Sequence, residues 1–341
     1  MSSPRAKRWL LAALGLVALV AAGCASDAPQ DFLNNQAGPR AERADSLWDI
    51  TFAIAVVVFV IVEGLIVFAL VRFRQRPGRE AKQFHGNTRV EIALTVVPAL
   101  ILAGLAVPTV DTIFDLDKRP DDAMDITVVG HQFWWEYRYP DLDLVTANEL
   151  HIPVGTPVFL SIEGATDDVI HSFWVPRLGG TQDVVPGRTN TLILEADEAG
   201  VYLGQCKEFC GLSHANMRLR VHADPPDEFE RWVSEQQQPA AEPADATAQR
   251  GRELFLQSAC IGCHAIEGTD AAATVGPDLT HLASRDTFAS GMFELNEARL
   301  RAWVADAPAE KPGVLMPSGL REMGLTQEDV AAIVSYLLTL E

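Results

Sequence analysis

Two long apolar runs near the N-terminus constrain the fold of this chain more than any other feature. The first, from Leu47 to Val71, contains only Asp49 and Glu63 as charged residues, and the second, from Ile92 to Val110, contains none. At about 1.5 Å per residue, a helix of either length can cross a hydrocarbon core about 30 Å thick. The runs therefore predict two transmembrane helices, at about 47–71 and 92–110.

The charges that flank these runs indicate how the chain is oriented. The segment between the runs is basic, with Arg72, Arg74, Arg76, Arg79, Lys82 and Arg89 against Glu80. The segment after the second run is acidic, with Asp111, Asp115, Asp117, Asp121, Asp122 and Asp125. Because cytoplasmic loops carry the excess of Lys and Arg, the short loop is expected in the cytoplasm. Everything after about Val110 is then expected outside the bacterial cytoplasmic membrane, on a multi-pass protein.

The first residues have the layout of an export signal over 1–23. Arg5, Lys7 and Arg8 precede the apolar run Trp9–Ala22, which ends in small residues. The segment Val20–Cys24 also resembles a bacterial lipoprotein signal, in which Cys24 becomes the lipidated first residue. A plain cleavage site and an uncleaved anchor are the alternatives.

The rest of the chain divides by composition into a β-rich part, a linker and a helical part. The β-rich runs are 126–129, 133–139, 158–162, 191–194 and 218–222, with Gly and Pro residues between them. Short strands at such spacing predict a Greek-key sandwich or barrel over 111–233, after an N-terminal segment with both spans at 24–110. A Gln-, Pro- and Ala-rich linker, 234–249, precedes a segment of helical character, 250–341.

Net charge and cysteine count exclude some classes of protein. The formal net charge of −19 argues against a nucleic-acid partner, which requires clustered Lys and Arg. The acidic surface is either simply solvated or a docking surface for a basic partner. The 5 cysteines fall into three groups, none of which requires a disulfide.

A cluster of metal-ligand residues lies in the β-rich part. Cys206, Cys210, His214 and Met217 occur within one short stretch, and His171 lies upstream. Two thiolates, two imidazoles and a thioether suit copper, whereas a single blue-copper site uses one cysteine and a structural zinc site does not need the methionine. Two such cysteines can each bridge two copper ions. Each histidine would then bind one ion, with Met217 and the backbone carbonyl of Glu208 as weaker ligands; a zinc site is the alternative.

This motif and the two-span hairpin resemble the binuclear copper A subunit, subunit II, of cytochrome c oxidase. The resemblance covers about Leu47 to Val233 and implies a cupredoxin-like domain with subunits I and III as partners. It also implies a magnesium ion bound by the Glu208 carboxylate at the subunit I interface. Glu91 matches a family carboxylate at the mouth of a proton-uptake path, although it is also interpretable as an interfacial carboxylate with no transport role.

An aromatic run, His131–Tyr137, departs from the pattern of that family. The family carries a tryptophan after the glutamine, where electrons arrive from soluble cytochrome c. Here Phe133 holds that position, and Trp134 and Trp135 follow. The difference suits a protein that carries its own cytochrome, but a purely packing role for these rings is equally compatible with the sequence.

The C-terminal part contains a haem attachment motif. Cys260 and Cys263, followed by His264, form the C-x-x-C-H pattern of c-type haem, with two thioethers and one imidazole on iron. From about Arg250 onward the chain resembles an all-α class I cytochrome c. This resemblance implies that Met316, in a proline-flanked loop, is the second axial ligand, and that Met292 and Met323 are packing residues.

These motifs together predict subunit II of a proton-pumping cytochrome c oxidase. Electrons would pass from haem c to copper A and then to the haem–copper centre of subunit I, where O₂ is reduced to water. Cytochrome c or a quinol–cytochrome c reductase would be the donor, and no catalytic residue is expected in this chain. A nitric oxide reductase or another terminal reductase is one alternative, and a membrane-anchored carrier is another. The paired spans favour the oxidase, because a carrier needs only one anchor.

Overall fold

The computed structural model describes residues 35–75, 77–78, 86–243 and 245–341, together with residues 15 and 30. Cys24, and the predicted export signal apart from residue 15, lie outside the described residues.

Two long helices form an antiparallel hairpin. Helix α1 spans Pro39–Arg72 and helix α2 spans Thr88–Asp117, so both extend beyond the apolar runs. No residue in the most apolar stretch of either helix is buried inside the protein. Both helices are long and apolar enough to cross a membrane. The side chain of Asn87 caps α2 by accepting from the backbone of Arg89 and Val90. An ion pair of 2.7 Å between Arg43 and Asp111 joins the start of α1 to the end of α2.

The middle of the chain is a sandwich of two five-stranded mixed sheets. The first sheet has the strand order β3-β2-β1-β5-β8 and the second has the order β4-β10-β9-β6-β7. The strands are β1 Met124–His131, β2 Trp134–Tyr139, β3 Leu144–Ala147, β4 Glu149–Pro153, β5 Val158–Gly164, β6 His171–Trp174, β7 Thr181–Val184, β8 Thr189–Leu194, β9 Gly200–Cys206 and β10 Arg218–Asp224. The inward-facing residues of both sheets, including Trp135, Leu160, Phe173 and Val221, form one core.

The C-terminal part is helical and packs around an apolar cavity. Helix α3, Pro226–Gln236, ends the β domain, and helices α4 Ala246–Gln257, α5 Glu297–Glu310 and α6 Gln327–Leu337 follow, with a small hairpin of β11 Thr287–Phe288 and β12 Phe293–Glu294. The connection between α3 and α4 is thus shorter than the predicted linker. Helices α4 and α6 approach so closely at Gly251 that a Cβ atom there would lie 1.9 Å from the Ala332 carbonyl oxygen. Only glycine permits this approach.

Candidate copper and haem sites

The sandwich brings together the predicted copper ligands from two adjacent strands and the loop that follows them. His171 begins β6 and Cys206 ends β9, and these two strands pair with Phe173 opposite Cys206. Cys210 lies in the next loop, His214 begins a 3-10 turn, and Met217 directly precedes β10. Residues that lie far apart in sequence therefore share one end of the second sheet.

The donor atoms of this cluster face one another in a buried space. The Sγ atoms of Cys206 and Cys210 are 3.9 Å apart. His171 Nδ1 lies 4.0 Å from the Cys206 sulfur, and His214 Nδ1 lies 3.6 Å from the Cys210 sulfur. The Met217 sulfur is 3.8 Å from Cys210, and the Glu208 carbonyl oxygen is 3.2 Å from Cys206. This arrangement of soft and imidazole donors, one histidine beside each thiol, fits a pair of copper ions.

A hydrogen bond orients one of the two histidines. His171 is completely buried, and its Nε2 donates to the Asp168 carboxylate at 3.3 Å. Asp168 also accepts from the backbone N–H of Gln132 at 2.8 Å, which holds the carboxylate in place. Burial lowers the pKa of His171, but its bonds to Asp168 and Cys206 outweigh that effect, so the pKa is raised overall. Because Nε2 carries the proton, Nδ1 is left free toward the thiols.

The two thiols affect one another's ionisation. Their contact lowers the pKa of Cys206 and raises the pKa of Cys210. Loss of the Cys206 proton is therefore favoured, whereas loss of the Cys210 proton needs a nearby positive charge. A metal ion supplies that positive charge and deprotonates a coordinating thiol.

The loop that carries these ligands projects apolar and acidic side chains outward. Phe209 and Leu212 are 76% and 82% exposed, and the Glu208 side chain is also exposed. Glu91 is exposed in the first turn of α2. In the described part of the chain, neither carboxylate has an ion-pair partner, so each is accessible to a group from outside the chain.

A second group of potential ligands does not have metal-binding geometry. Glu149, His151 and His222 bring ligand atoms within 4.8 Å of one another. The rings of His151 and His222 are stacked 4.5 Å apart and only 13° from parallel, so their in-plane lone pairs do not converge on one point. Glu149 already accepts from the backbone N–H groups of Asp286 and Thr287. This cluster instead forms part of the contact between the β domain and the helical domain.

The haem attachment residues lie on a short turn after α4. Cys260 is in the 3-10 turn Ala259–Gly262, Cys263 follows it, and both thiols are free. His264 Nδ1 donates to the Pro277 carbonyl at 2.7 Å, so Nε2 is the nitrogen available to iron. Burial lowers the pKa of His264 and favours the neutral imidazole that binds metal. A Cβ at Gly276 would lie 2.8 Å from the His264 ring, so the ring needs glycine there.

The cavity beside these residues has the composition that a haem requires. It is mostly apolar and is lined by both thiols, His264, Met316 and Met323. Arg285 also lines it, and its buried Nε has no hydrogen-bond partner among the described residues. Another nitrogen of the same guanidinium donates to the Asp278 carbonyl at 2.7 Å, and the free Nε–H of this cation suits an acidic group such as a haem propionate. Met316 and Met323 both line this cavity, whereas Met292 does not.

The aromatic run joins the two sites. Phe133 and Trp134, from the β domain, line the cavity of the helical domain. Trp134 stacks on His131 at 4.2 Å. Trp135 is fully buried on the other side of the strand, and its ring lies 6.2 Å from that of His171. One strand thus contacts both the haem cavity and a candidate copper ligand.

The chain combines three features: a two-helix membrane anchor, a β-sandwich with a cluster of thiols and imidazoles, and a helical domain whose cavity contains a C-x-x-C-H motif. Together they define a membrane-anchored electron-transfer protein. Comparisons with known proteins make the class specific. Residues 26–112 match the family "Cytochrome C oxidase subunit II, transmembrane domain", residues 142–223 match "Cytochrome C oxidase subunit II, periplasmic domain", and residues 248–341 match "Cytochrome c". The chain belongs to the cytochrome c oxidase subunit II family, in a form that carries a cytochrome c domain.

Individual relatives span almost the whole chain. Cytochrome c oxidase subunit 2 from Alkalihalophilus pseudofirmus is 38% identical, and the match covers 96% of each protein. The subunit of the same name from Bacillus sp. strain PS3 is 36% identical over 98% of each protein. The crystal structure of the periplasmic domain of cytochrome oxidase subunit II from Bradyrhizobium japonicum is 31% identical, with a TM-score of 0.33, and covers 35% of this chain and 96% of that one.

The family and the fold class predicted from the motifs are therefore confirmed. The chain is a subunit of an oxidoreductase complex, a membrane protein with domains outside the membrane, and the nitric oxide reductase alternative is not favoured. Several site residues were missed by sequence reasoning. Asp168 carries a weak signal, since it lies three residues before His171. Arg285 carries none, because only the tertiary fold brings it to the haem cavity.

Proposed function

We propose that this chain receives electrons on a covalently bound haem c, passes them to a binuclear copper A centre, and delivers them to the haem–copper centre of subunit I for O₂ reduction. One observation carries the proposal: the cavity that contains the haem attachment motif is walled by Phe133 and Trp134 of the copper domain. The haem cavity, where electrons would enter, therefore adjoins the copper domain, from which they would leave, within one chain.

In this proposal the copper pair is bound by His171, Cys206, Cys210, His214 and Met217, with the Glu208 backbone carbonyl as the remaining ligand. A copper pair held by these residues would supply one-electron transfer, with the Cys206 and Cys210 thiolates as its principal ligands. The protein contributes a buried ligand set that is already assembled: Asp168 holds His171, and the paired strands β6 and β9 hold the Cys206 end of the loop. The preformed site limits reorganisation on electron transfer.

Cys260 and Cys263 would hold the haem through thioethers, and His264 and Met316 would bind its iron. A methionine ligand raises the reduction potential of the iron. The Pro277 carbonyl orients His264, and Arg285 offers a cation at the cavity wall. The apolar lining excludes water around the iron, which also favours the reduced, less charged form.

Further assignments also belong to this proposal. The exposed Glu208 carboxylate binds magnesium with ligands from subunit I, and the exposed Glu91 lies at the mouth of a proton-uptake path. Cys24 is lipidated after export. Subunits I and III are the partners of this chain in the bacterial cytoplasmic membrane, and the copper and haem domains lie outside that membrane. Cytochrome c or a quinol–cytochrome c reductase donates the electrons.

The proposal is tested on the purified complex by its optical spectrum and by oxygen uptake with reduced cytochrome c. We expect haem c, a near-infrared copper A band and oxidase haem in one preparation, together with oxygen uptake. Nitric oxide turnover without oxygen uptake, or a preparation without high-spin oxidase haem, would contradict it.

A further inference from the structure

One buried lysine of the cytochrome domain connects it to the copper domain. Lys311 is 2% exposed, and its Nζ donates to the Phe133 carbonyl at 2.8 Å, the Ala289 carbonyl at 3.1 Å and the Ser290 hydroxyl at 3.0 Å. The Ser290 hydroxyl itself donates to the same Phe133 carbonyl. All three N–H bonds of the ammonium are satisfied, and one of the acceptors belongs to the other domain.

Among the described residues no carboxylate forms an ion pair with Lys311, and a buried ammonium without such a partner is costly, so its position needs a reason. Removing an ammonium group from water is offset only where its hydrogen bonds are complete. Lys311 also lines the haem cavity, so it lies where that cavity meets the copper domain.

The two residues after Lys311 also contact the copper loop. The Ser213 hydroxyl, next to His214, donates to the Pro312 carbonyl at 2.6 Å. Gly313 has a φ of +84°, and a Cβ atom there would lie 3.1 Å from the Leu212 Cβ and 3.4 Å from the Phe133 ring. Positive φ and close approach both require glycine. Lys311, Pro312 and Gly313 therefore all contact the copper domain, and Met316 lies three residues after Gly313.

We propose that Lys311 is a positioning residue for electron transfer: it fixes the loop that carries Met316 onto Phe133 and the copper loop, so that the cytochrome domain is a docked donor rather than a tethered, diffusing one. This inference rests on the proposed function. Electron tunnelling decreases exponentially with the distance between centres, so a fixed loop gives one fast rate constant. A tethered domain would have to search for its docking position before each transfer.

The test uses the full-length chain in its oxidase complex. Haem c is reduced by a soluble photoreductant that a light flash excites, and the decay of the near-infrared copper A band gives the transfer rate, measured with and without a viscogen. Hydrogen exchange of the segments 286–291 and 311–316 is measured on the same samples. The variant is Lys311→Met, which keeps the chain length of the side chain without its charge, and Lys118→Met is the matched control at an exposed lysine.

For the unchanged chain and the Lys118 control we expect one rate, independent of viscosity. For Lys311→Met we expect an electron-transfer rate at least about tenfold lower, which falls further as viscosity increases. Hydrogen exchange should become faster in both segments, and the haem c and copper A spectra should be unaltered. Lys311→Arg, which keeps the positive donor, should recover part of the loss. The inference would be overturned if Lys311→Met kept the wild-type transfer rate, showed no dependence on viscosity and kept the wild-type hydrogen exchange.

Two further arms separate misfolding and failure of the proposed function. If Lys311→Met loses either spectrum, Ser290→Ala takes its place. It removes one acceptor and one bond to Phe133, and it should slow transfer about threefold; an unchanged rate and unchanged exchange would overturn the inference. If haem c does not reduce copper A even in the unchanged chain, the proposed function fails, and the exchange data alone decide whether Lys311 fixes the loop.

Discussion

The Sγ atoms of Cys206 and Cys210 lie 3.9 Å apart and are both buried, with one histidine nitrogen facing each of them. This separation leaves room for metal ions between the sulfurs without closing a disulfide, whose S–S bond is about 2.05 Å long. The pair is therefore the structural centre of the copper assignment, and removing one sulfur should have a specific spectroscopic result.

Replacement of Cys206 by serine should abolish the near-infrared mixed-valent band and leave the haem c spectrum intact. A hydroxyl is a poor bridging ligand for copper, and the predicted haem thiols of Cys260 and Cys263 lie outside the copper loop. The measurement is an optical spectrum of the purified complex. The reciprocal control, Cys260→Ser, should impair haem attachment and leave the copper band; a copper band that survives Cys206→Ser would refute the ligand assignment.

The axial ligand of the haem can be assigned by comparing two methionines that line the same cavity. Met316→Leu should lower the haem c reduction potential, because it removes a thioether that stabilises the ferrous iron. Met323→Leu, of similar volume, should leave the potential near that of the unchanged chain. Redox titration of the haem absorption distinguishes them, and a drop confined to Met323→Leu would reverse the assignment.

The titration of Lys311 gives stability a pH dependence of predictable sign. Burial lowers its pKa from 10.5 to about 7, while Cys210 raises it and Arg218 lowers it. Between these two values the unfolded chain binds more protons than the folded chain, so the contribution of Lys311 to stability increases with pH there and is least favourable below about pH 7. The unfolding midpoint in denaturant, compared between about pH 6 and about pH 9, should show this increase in the unchanged chain and in Lys118→Met. Lys311→Met should show a smaller increase; equal slopes in all three would contradict the prediction.

Glu149 provides a second contact between the domains. Its carboxylate is 2% exposed and accepts from the Asp286 N–H at 3.1 Å and the Thr287 N–H at 2.8 Å. Glu149→Leu would leave buried donors without partners, and the expected cost is about 1–3 kcal/mol of stability. Denaturant unfolding measures it, and limited proteolysis of the connection between α3 and α4 should become faster. The exposed Glu253→Leu is the control, and equal behaviour of the two variants would contradict a role for Glu149 in docking.

The copper loop, the haem motif and the two spans could be predicted from sequence because each is local. Cys206 to Met217 occupy one stretch, and the haem thiols and His264 occupy another. Strands β3, β4, β6, β7 and β9 were not predicted; three of them, β3, β6 and β7, have only four residues and no clear alternation of polar and apolar side chains. The bond from Lys311 to Phe133 joins positions 178 apart in sequence, and no periodicity marks either end. Contacts between domains therefore had to come from the tertiary structure.

Haem c and copper A are proposed to act in sequence within one chain. The decisive experiment reduces haem c in the purified wild-type complex with a flash-excited soluble photoreductant and follows copper A in the near-infrared across a range of complex concentrations, with no soluble cytochrome c present. We expect first-order reduction of copper A at a rate that does not change with concentration. Reduction that requires added cytochrome c, or a rate proportional to the concentration of the complex, would show that the two centres do not act in sequence within one chain.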